Sequence, residues 1–342
     1  MEEMVKEEQC AVASIPEGHE TKCWGCGLRL LLASYAPVFK CGWCGAITNR
    51  NPWKREKRCS YRWIRVRDRF FVTALLLFML FVICGGVWAV YPVIFSASDF
   101  CGIFHCIITF TLSVFTISSF CLAAFMSPGA PTSMIWGSYP VVEKGSLENY
   151  TFCVYCAKPK SPRTHHCRSC GMCVLGMDHH CPFIGNCVGA ANHRHFIAFL
   201  FSAVSSTMYV FMMTTYAGLN LWPPLTYGSL RPSIIFNRTA ALIVLKEITH
   251  ALLSSALFLS TRGLLLVYLS IASLSVHIGL SVLLWQQLRY IYEGKTYLDQ
   301  LSSSDGGNEE RGCQNLFRFF GCPYSATRFL LGSSGAAKIH WK

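Results

Sequence analysis

Charge is what this chain has least of. Charged residues occupy 14% of its 342 positions, roughly half of the ~25% usual in soluble globular chains. Acidic side chains are the scarcer kind: 18 Asp and Glu stand against 30 Lys and Arg, a formal net charge of +12. Together with 52% hydrophobic residues and a mean hydropathy of +0.37, this excludes a disordered chain and argues against a wholly soluble enzyme. The opening MEEMVKEEQC is charged and is not expected to act as an apolar secretory leader. The 19 cysteines are therefore not expected to be the disulfide scaffold of a small secreted protein. They point instead to metal binding or catalysis facing a reducing compartment.

What the sequence has in quantity is long apolar runs. Residues 70–91 carry no charge over 22 positions, about 33 Å of helix at 1.5 Å per residue and enough to cross a ~30 Å hydrocarbon core. Residues 101–126, 196–219 and 263–288 form three more such runs. The expected fold is therefore an α-helical polytopic membrane protein with four spans. A fifth stretch, residues 239–260, is apolar but contains Lys246, Glu247 and His250, and reads as an interfacial or re-entrant helix within a 220–262 lumenal loop. The spans hold no paired carboxylates and no Lys, only His105 and His277. That gives little support to a transporter, and the two histidines read as polar packing residues.

Orientation follows from basic residues. Arg50, Lys54, Arg55, Lys57, Arg58, Arg62, Arg65, Arg67 and Arg69 crowd the 46–69 juxtamembrane segment, whereas residues 92–100 hold none. The positive-inside rule then places both termini, the 127–195 segment and the 289–342 tail in the cytoplasm. Such a basic run could bind nucleic acid, but beside a span it more simply fixes topology and touches anionic lipid, so no nucleic-acid partner is expected. Asn237-Arg238-Thr239 is a short glycosylation sequon on the expected lumenal side.

Two segments have metal-ligand spacing. After a 1–22 tail, Cys23 and Cys26 form one Cys-x-x-Cys knuckle and Cys41 and Cys44 another, within residues 23–45. Four thiolates so spaced can close a tetrahedral zinc site with no open position, which suits a structural or docking role. The run resembles an LSD1-type zinc ribbon, a module seen mainly in plant proteins.

The second segment, CVYCAKPKSPRTHHCRSCGMCVLGMDHHCPFIGNC, repeats itself with a period of fourteen: Cys153, Cys156, His166 and Cys173 align with Cys167, Cys170, His180 and Cys187. Each set is a Cys₃His zinc site, and the two interleave along the chain. Cys181 aligns with Cys167 but has no third repeat to serve, because Ile184 stands where the next knuckle cysteine would be. It is a spare thiol beside a metal-fixed His180. His179 is equally free, and Asp178 replaces Thr164 where a carboxylate could orient that imidazole. An Asp–His–Cys set is a usual means of activating a thiol. Beside four spans, such a thiol suggests an acyl substrate whose chain sits in the bilayer. The alternative is a non-catalytic, membrane-anchored zinc adaptor with an idle Cys181.

Residues 153–196, with Asp178-His179-His180-Cys181 at their centre, resemble the cysteine-rich domain of DHHC-type protein S-acyltransferases. The likeness extends to Pro162-Arg163, Asn186-Cys187-Val188-Gly189, Asn192 and Phe196, and the four spans with this domain between the second and third agree with the family architecture. The resemblance implies that Cys181 takes a long-chain fatty acyl group, usually palmitoyl, from acyl-CoA and passes it to cysteines of protein substrates at the cytoplasmic membrane face. It also implies a cavity between the spans for the acyl chain. Such proteins belong to an endomembrane (Golgi, endoplasmic reticulum or vesicle) or the plasma membrane. The chain departs from the family pattern in Ser127-Pro128-Gly129 for Asp-Pro-Gly, Thr296-Tyr297-Leu298-Asp299 for Thr-Thr-x-Glu, and Phe183 for the Trp after Cys-Pro. Residues 314–321 loosely match a tail motif with a buried Asn and an aromatic. Lys158, Lys160, Arg163, Arg168 and Arg194 flank the active cysteine and, as a group, could meet the CoA phosphates. They could equally balance Cys₃His zinc sites, each carrying about −1.

Overall fold

The computed structural model describes residues 20–32, 36–49, 58–131, 133–223, 238–301 and 312–321. Arg50, Lys54, Arg55, Lys57 and Asn237, which sequence reading singled out, lie outside these. The chain divides into two compact units: Met1–Tyr61 with Gly129–Gly176, and Arg62–Pro128 with Met177–Lys342.

The described part of the first unit is built from four antiparallel hairpins. They are β1 (Glu20–Lys22) with β2 (Arg29–Leu31), β3 (Val38–Lys40) with β4 (Ile47–Asn49), β5 (Thr151–Cys153) with β6 (Lys158–Lys160), and β7 (His165–Cys167) with β8 (Met172–Val174). Three-residue strands cannot make a core of their own; here the cysteines supply it. Cys23, Cys26, Cys41 and Cys44 are at most 1% exposed and pack with Ala46, Val142 and Leu147. The knuckle turns share one form: the amides of Gly27, Gly45 and Gly171 donate to the carbonyls of Cys23, Cys41 and Cys167 at 2.8–2.9 Å. All three glycines have φ between 67° and 80°, a left-handed backbone that side-chain-bearing residues adopt at a cost.

The N-terminal ribbon is not a free appendage of this unit. The amides of Gly137, Gly145 and Leu147 donate to the carbonyls of Gly25, Trp43 and Cys44 at 2.7–2.9 Å, and the Ile47 amide donates to Tyr150 at 2.7 Å. Lys40 pairs with Glu148. Residues 134–150, part of the 127–195 segment, thus wrap the ribbon.

The second unit is helical. It contains α1 (Arg58–Ala97, from Arg62 onward), α2 (Asp99–Phe125), α3 (His193–Leu221), α4 (Arg238–Ala256), α5 (Thr261–Tyr292), α6 (Tyr297–Leu301) and α7 (Cys313–Phe320), with the hairpin β9 (His179–Cys181) and β10 (Asn186–Val188) between α2 and α3. Among the described residues, four helices are long and apolar enough to cross a membrane: Arg62–Ala97, α2, α3 and α5. Their outer faces leave Phe81, Phe104, Phe110, Met212, Ile271 and Trp285 exposed, far more apolar surface than a soluble monomer shows. With no hydrophobic drive between helices in lipid, polar side chains join them: Thr116 to Ser206 (2.9 Å), Ser119 to Ser202 (3.2 Å) and Thr215 to Ser270 (2.9 Å). His105 and His277 belong to this seam, with Nδ1 atoms 3.0 Å from the Tyr209 hydroxyl and 3.2 Å from the Val204 carbonyl. The protein is an α-helical polytopic membrane protein with a cysteine-rich segment between its second and third membrane helices.

The helices outrun the apolar runs that announced them. α1 has 40 residues, because an uncharged window finds only the part a hydrocarbon core would cover and not the Arg-rich turns before it.

Candidate active site

The hairpin β9–β10 sorts the central tetrapeptide by strand alternation. Successive side chains in a strand point to opposite faces, so His179 and Cys181 share one side and His180 takes the other. His180 lies opposite Cys187 in the antiparallel register, and its Nδ1 is 3.6 Å from the Cys187 sulfur. Asp178, immediately before the strand, is anchored by its amide to the Val188 carbonyl at 2.9 Å.

Two asparagines clip this hairpin to the end of α2, where helix carbonyls lack intrahelical partners. Asn186 Nδ2 donates to Ala124 and Met126 at 3.1 and 2.8 Å. Asn192, fully buried, donates to Ala123 and Cys187 and accepts from the Gly189 amide, all within 3.0 Å. At the hairpin turn, Gly185 (φ 60°) lets α1 approach closely, for a Cβ there would lie 2.9 Å from Val72.

Asp178 is 0% exposed and spends its carboxylate fully. Its Oδ2 lies 2.7 Å from His179 Nδ1 and accepts from Gln287 Nε2 at 3.2 Å; its Oδ1 accepts from the Tyr297 amide at 2.7 Å. Gln287 in turn meets His193 Nε2 through Oε1 at 3.2 Å. The Tyr297 amide is presented by a capping box: the Asp299 amide donates to Thr296 Oγ1 at 3.2 Å and the Thr296 amide to Asp299 Oδ2 at 3.0 Å. The loose Thr-Tyr-Leu-Asp motif therefore shapes the turn that holds Asp178.

These contacts set the charge states. Burial pushes the Asp178 carboxyl up, but hydrogen bonds from His179 and Tyr297 outweigh it and hold the group below its ordinary value. Burial pulls His179 down, and the Asp178 and Cys181 contacts reverse that, carrying it up to about 9. Burial likewise pushes the Cys181 thiol up, while the His179 hydrogen bond and the Ile184 and Phe183 amides bring it below its usual range. All three shifts favour a thiolate–imidazolium pair backed by a carboxylate.

Cys181 is 9% exposed and lies on the wall of a cavity of about 520 Å³ between the membrane helices. Along α1 the lining runs from Leu75 to Tyr91, about 24 Å at 1.5 Å per residue. Phe183, Phe196 and Leu200 surround the end near Cys181, and Tyr91, Thr109 and Tyr209 line the cavity as well. Those three residues are joined by hydrogen bonds, Tyr91 to Thr109 at 2.6 Å and Thr109 to Tyr209 at 3.3 Å. Phe183 packs against Phe71 with centroids 5.4 Å apart and the rings tilted by 54°. Asn315 of the tail helix donates to the Tyr292 carbonyl at 3.0 Å but is only half-buried, correcting the buried Asn expected there.

The metal-ligand sets fit zinc. A tetrahedron with Zn–S of ~2.3 Å has edges of about 3.7 Å. The ribbon sulfurs of Cys23 and Cys44, and of Cys26 and Cys41, are each 3.7 Å apart, with all four ligand atoms within 4.8 Å of one another. In the next set, His166 Nδ1 lies 3.5, 3.2 and 3.9 Å from the sulfurs of Cys153, Cys156 and Cys173. Cys167 and Cys170 form their knuckle in the first unit, where the Cys170 amide donates to the Cys167 sulfur at 3.3 Å. His180 and Cys187 face each other in the second. Among the expected CoA-facing residues, Lys158, Lys160, Arg163 and Arg168 are in the first unit and Arg194 is in the second. A Cβ on Gly321 would lie 3.4 Å from the Arg194 guanidinium.

Sequence reading missed Asp68, Gln287 and the Tyr297 amide. Asp68 accepts from His180 Nε2 at 2.9 Å. The two side chains had faint signals, a lone carboxylate among arginines for Asp68 and a glutamine pair at the end of an apolar run for Gln287; a backbone amide has none.

Comparison with known proteins agrees with this geometry. Residues 146–304 match the family described as DHHC palmitoyltransferase. Palmitoyltransferase ZDHHC16 of Bos taurus is 33% identical over 135 residues, covering 37% of this chain and 36% of the relative. Palmitoyltransferase PFA4 of Yarrowia lipolytica is 31% identical over 161 residues, covering 41% and 45%. The probable protein S-acyltransferase 13 of Arabidopsis thaliana is 43% identical over 82 residues, covering 24% and 25%. The matches thus span less than half the length of these curated relatives. With Cys181 of the Asp–His–Cys set on the wall of a cavity between the membrane helices, the match to the DHHC palmitoyltransferase family covers residues 146–304, the cysteine-rich segment and the helices after it.

Proposed function

We propose that the protein is a protein S-acyltransferase that moves a long-chain fatty acyl group, palmitoyl by the family's name, from acyl-CoA to protein cysteines in two steps. The observation that carries this reading is Cys181: its sulfur is paired with an Asp-backed imidazole and borders an apolar cavity between the membrane helices. In the first step the Cys181 thiolate attacks the thioester carbonyl, and the CoA thiolate leaves and takes the proton from His179. The acyl chain then occupies the cavity, out of water. In the second step a substrate cysteine gives its proton to His179, its sulfur attacks the Cys181 thioester, and the Cys181 thiolate is regenerated. This is a ping-pong course. Asp178 stays ionised throughout, holding His179 with Nδ1 toward the carboxylate and Nε2 toward the reacting sulfur. Incubation of the full-length protein in lipid nanodiscs with palmitoyl-CoA should add one palmitoyl mass to the Cys181 peptide, removable by hydroxylamine. An unlabelled Cys181 would leave the zinc-adaptor reading in its place.

Zinc is assigned to scaffolding. One ion takes Cys153, Cys156, His166 and Cys173; a second takes Cys167, Cys170, His180 and Cys187, paired by the fourteen-residue repeat; a third takes Cys23, Cys26, Cys41 and Cys44. Each set is a full complement of four, with no position left open for substrate. Elemental analysis of the purified protein should give about three zinc per chain; two would remove the ribbon site, and fewer would overturn the interleaved scheme. The basic approach to α1 and the absence of Lys and Arg from residues 92–100 support cytoplasmic termini and an active site at the cytoplasmic membrane face. Arg194 and the lysines and arginines of the cysteine-rich segment suit the phosphates of the CoA leaving group.

A further inference from the structure

A carboxylate on the first membrane helix stands behind the residue between base and nucleophile. His180 Nε2 lies 2.9 Å from Asp68 Oδ2, and the Asp68 side chain is 6% exposed. The other carboxylate oxygen is taken by Arg67, whose Nε and a terminal nitrogen lie 3.0 and 2.8 Å from Oδ1. Burying a carboxylate is costly unless its oxygens are paired, and both oxygens of Asp68 are. The opposite nitrogen of His180, Nδ1, faces the Cys187 sulfur at 3.6 Å. An imidazole that binds metal through one nitrogen carries its proton on the other, and a carboxylate accepting that proton fixes tautomer and ring orientation while raising the basicity of the ligating nitrogen.

We infer that Asp68 is a positioning residue for the metal site that His180 serves, accepting the Nε2–H of His180 so that Nδ1 is held as the ligand atom. The inference rests on the zinc reading given above and adds to it a partner 112 residues away in the sequence. It gives α1 a duty beyond spanning and lining the cavity. Gly185, whose missing Cβ lets Val72 of α1 come close, permits the approach that this contact needs. Since His180 sits between His179 and Cys181 on one three-residue strand, a ring free to rotate would loosen both the metal and the strand that aims the thiol.

The test is zinc retention in full-length protein in nanodiscs, read as zinc per chain and as release to a chromogenic chelator. Asp68→Ala should release one zinc equivalent about 10–100-fold more readily than wild type, the scale for losing a carboxylate behind a metal-bound histidine, with the remaining equivalents unchanged. Asp68→Asn, which keeps an acceptor oxygen and loses the charge, should fall between the two. Wild-type retention of every equivalent by Asp68→Ala would overturn the inference. So would an Asp68→Ala protein that misfolds while Asp68→Asn behaves as wild type in release, since the carboxylate would then be a packing group only. A wild-type chain without zinc in the cysteine-rich segment would instead overturn the metal reading beneath it, and this inference with it.

Discussion

Replacing Cys181 by Ser is expected to abolish both self-acylation and acyl transfer while leaving the zinc content of the chain unchanged. The substitution exchanges one atom at a site that is 9% exposed, so packing against Phe196 and Ile184 is preserved. It removes the thiolate, which is the nucleophile in thioester exchange. A serine hydroxyl ionises far above the range that His179, raised to about 9, can serve without a dedicated oxyanion-stabilising site. Cys181 belongs to none of the three proposed zinc sets, each of which already has four donors by the sequence spacing. The measurement is two-fold: hydroxylamine-labile label from palmitoyl-CoA, and zinc per chain by elemental analysis. A C181S protein that still passes acyl groups to a substrate cysteine would remove Cys181 from the reaction. One that loses zinc would show the thiol to be a metal ligand, contrary to the repeat.

The proposed nucleophile could be singled out in the sequence because its surroundings are local. The four donors of each Cys₃His set fall within 21 residues, and the repeat isolates Cys181 by subtraction. The membrane helices were readable because a bilayer imposes a length and a composition. The residues that hold the site in place were not readable in the same way. Gln287 and Tyr297 reach Asp178 across 109 and 119 positions, and Asp68 reaches His180 across 112. No local period marks such pairs; they exist only once helices α1 and α5 have converged on the hairpin. The ribbon's docking on residues 134–150 was hidden for a related reason. It is made largely by backbone amides and carbonyls, which every residue has and no composition reports. The Thr296–Asp299 motif was visible, but its task was not: as a capping box it turns the chain so that the Tyr297 amide, not a side chain, meets Asp178.

His179→Ala is expected to slow acyl transfer about 10²-fold or more, the lower end of general acid–base contributions and about 2.7 kcal/mol of barrier. The imidazole has two tasks that no neighbour can assume. It stabilises the Cys181 thiolate against the cost of burial, and it delivers a proton to the departing CoA sulfur. His180 cannot substitute: strand alternation turns it away, with Nδ1 toward Cys187 and Nε2 committed to Asp68. His193 is held by Gln287. Alanine also leaves the Asp178 carboxylate buried with two donors instead of three, a residual charge with no cation beside the nucleophile, which would raise the thiol further. Asp178→Ala should be of similar or milder effect, because it acts through His179 and leaves the imidazole–thiol contact to form less often. Single-round transfer from a preloaded donor separates this from slow release of product. In that assay H179A protein with intact zinc and near-normal turnover would remove the base assignment, whereas loss confined to the chemical step, with acyl-CoA binding retained, would place His179 at the reacting sulfur.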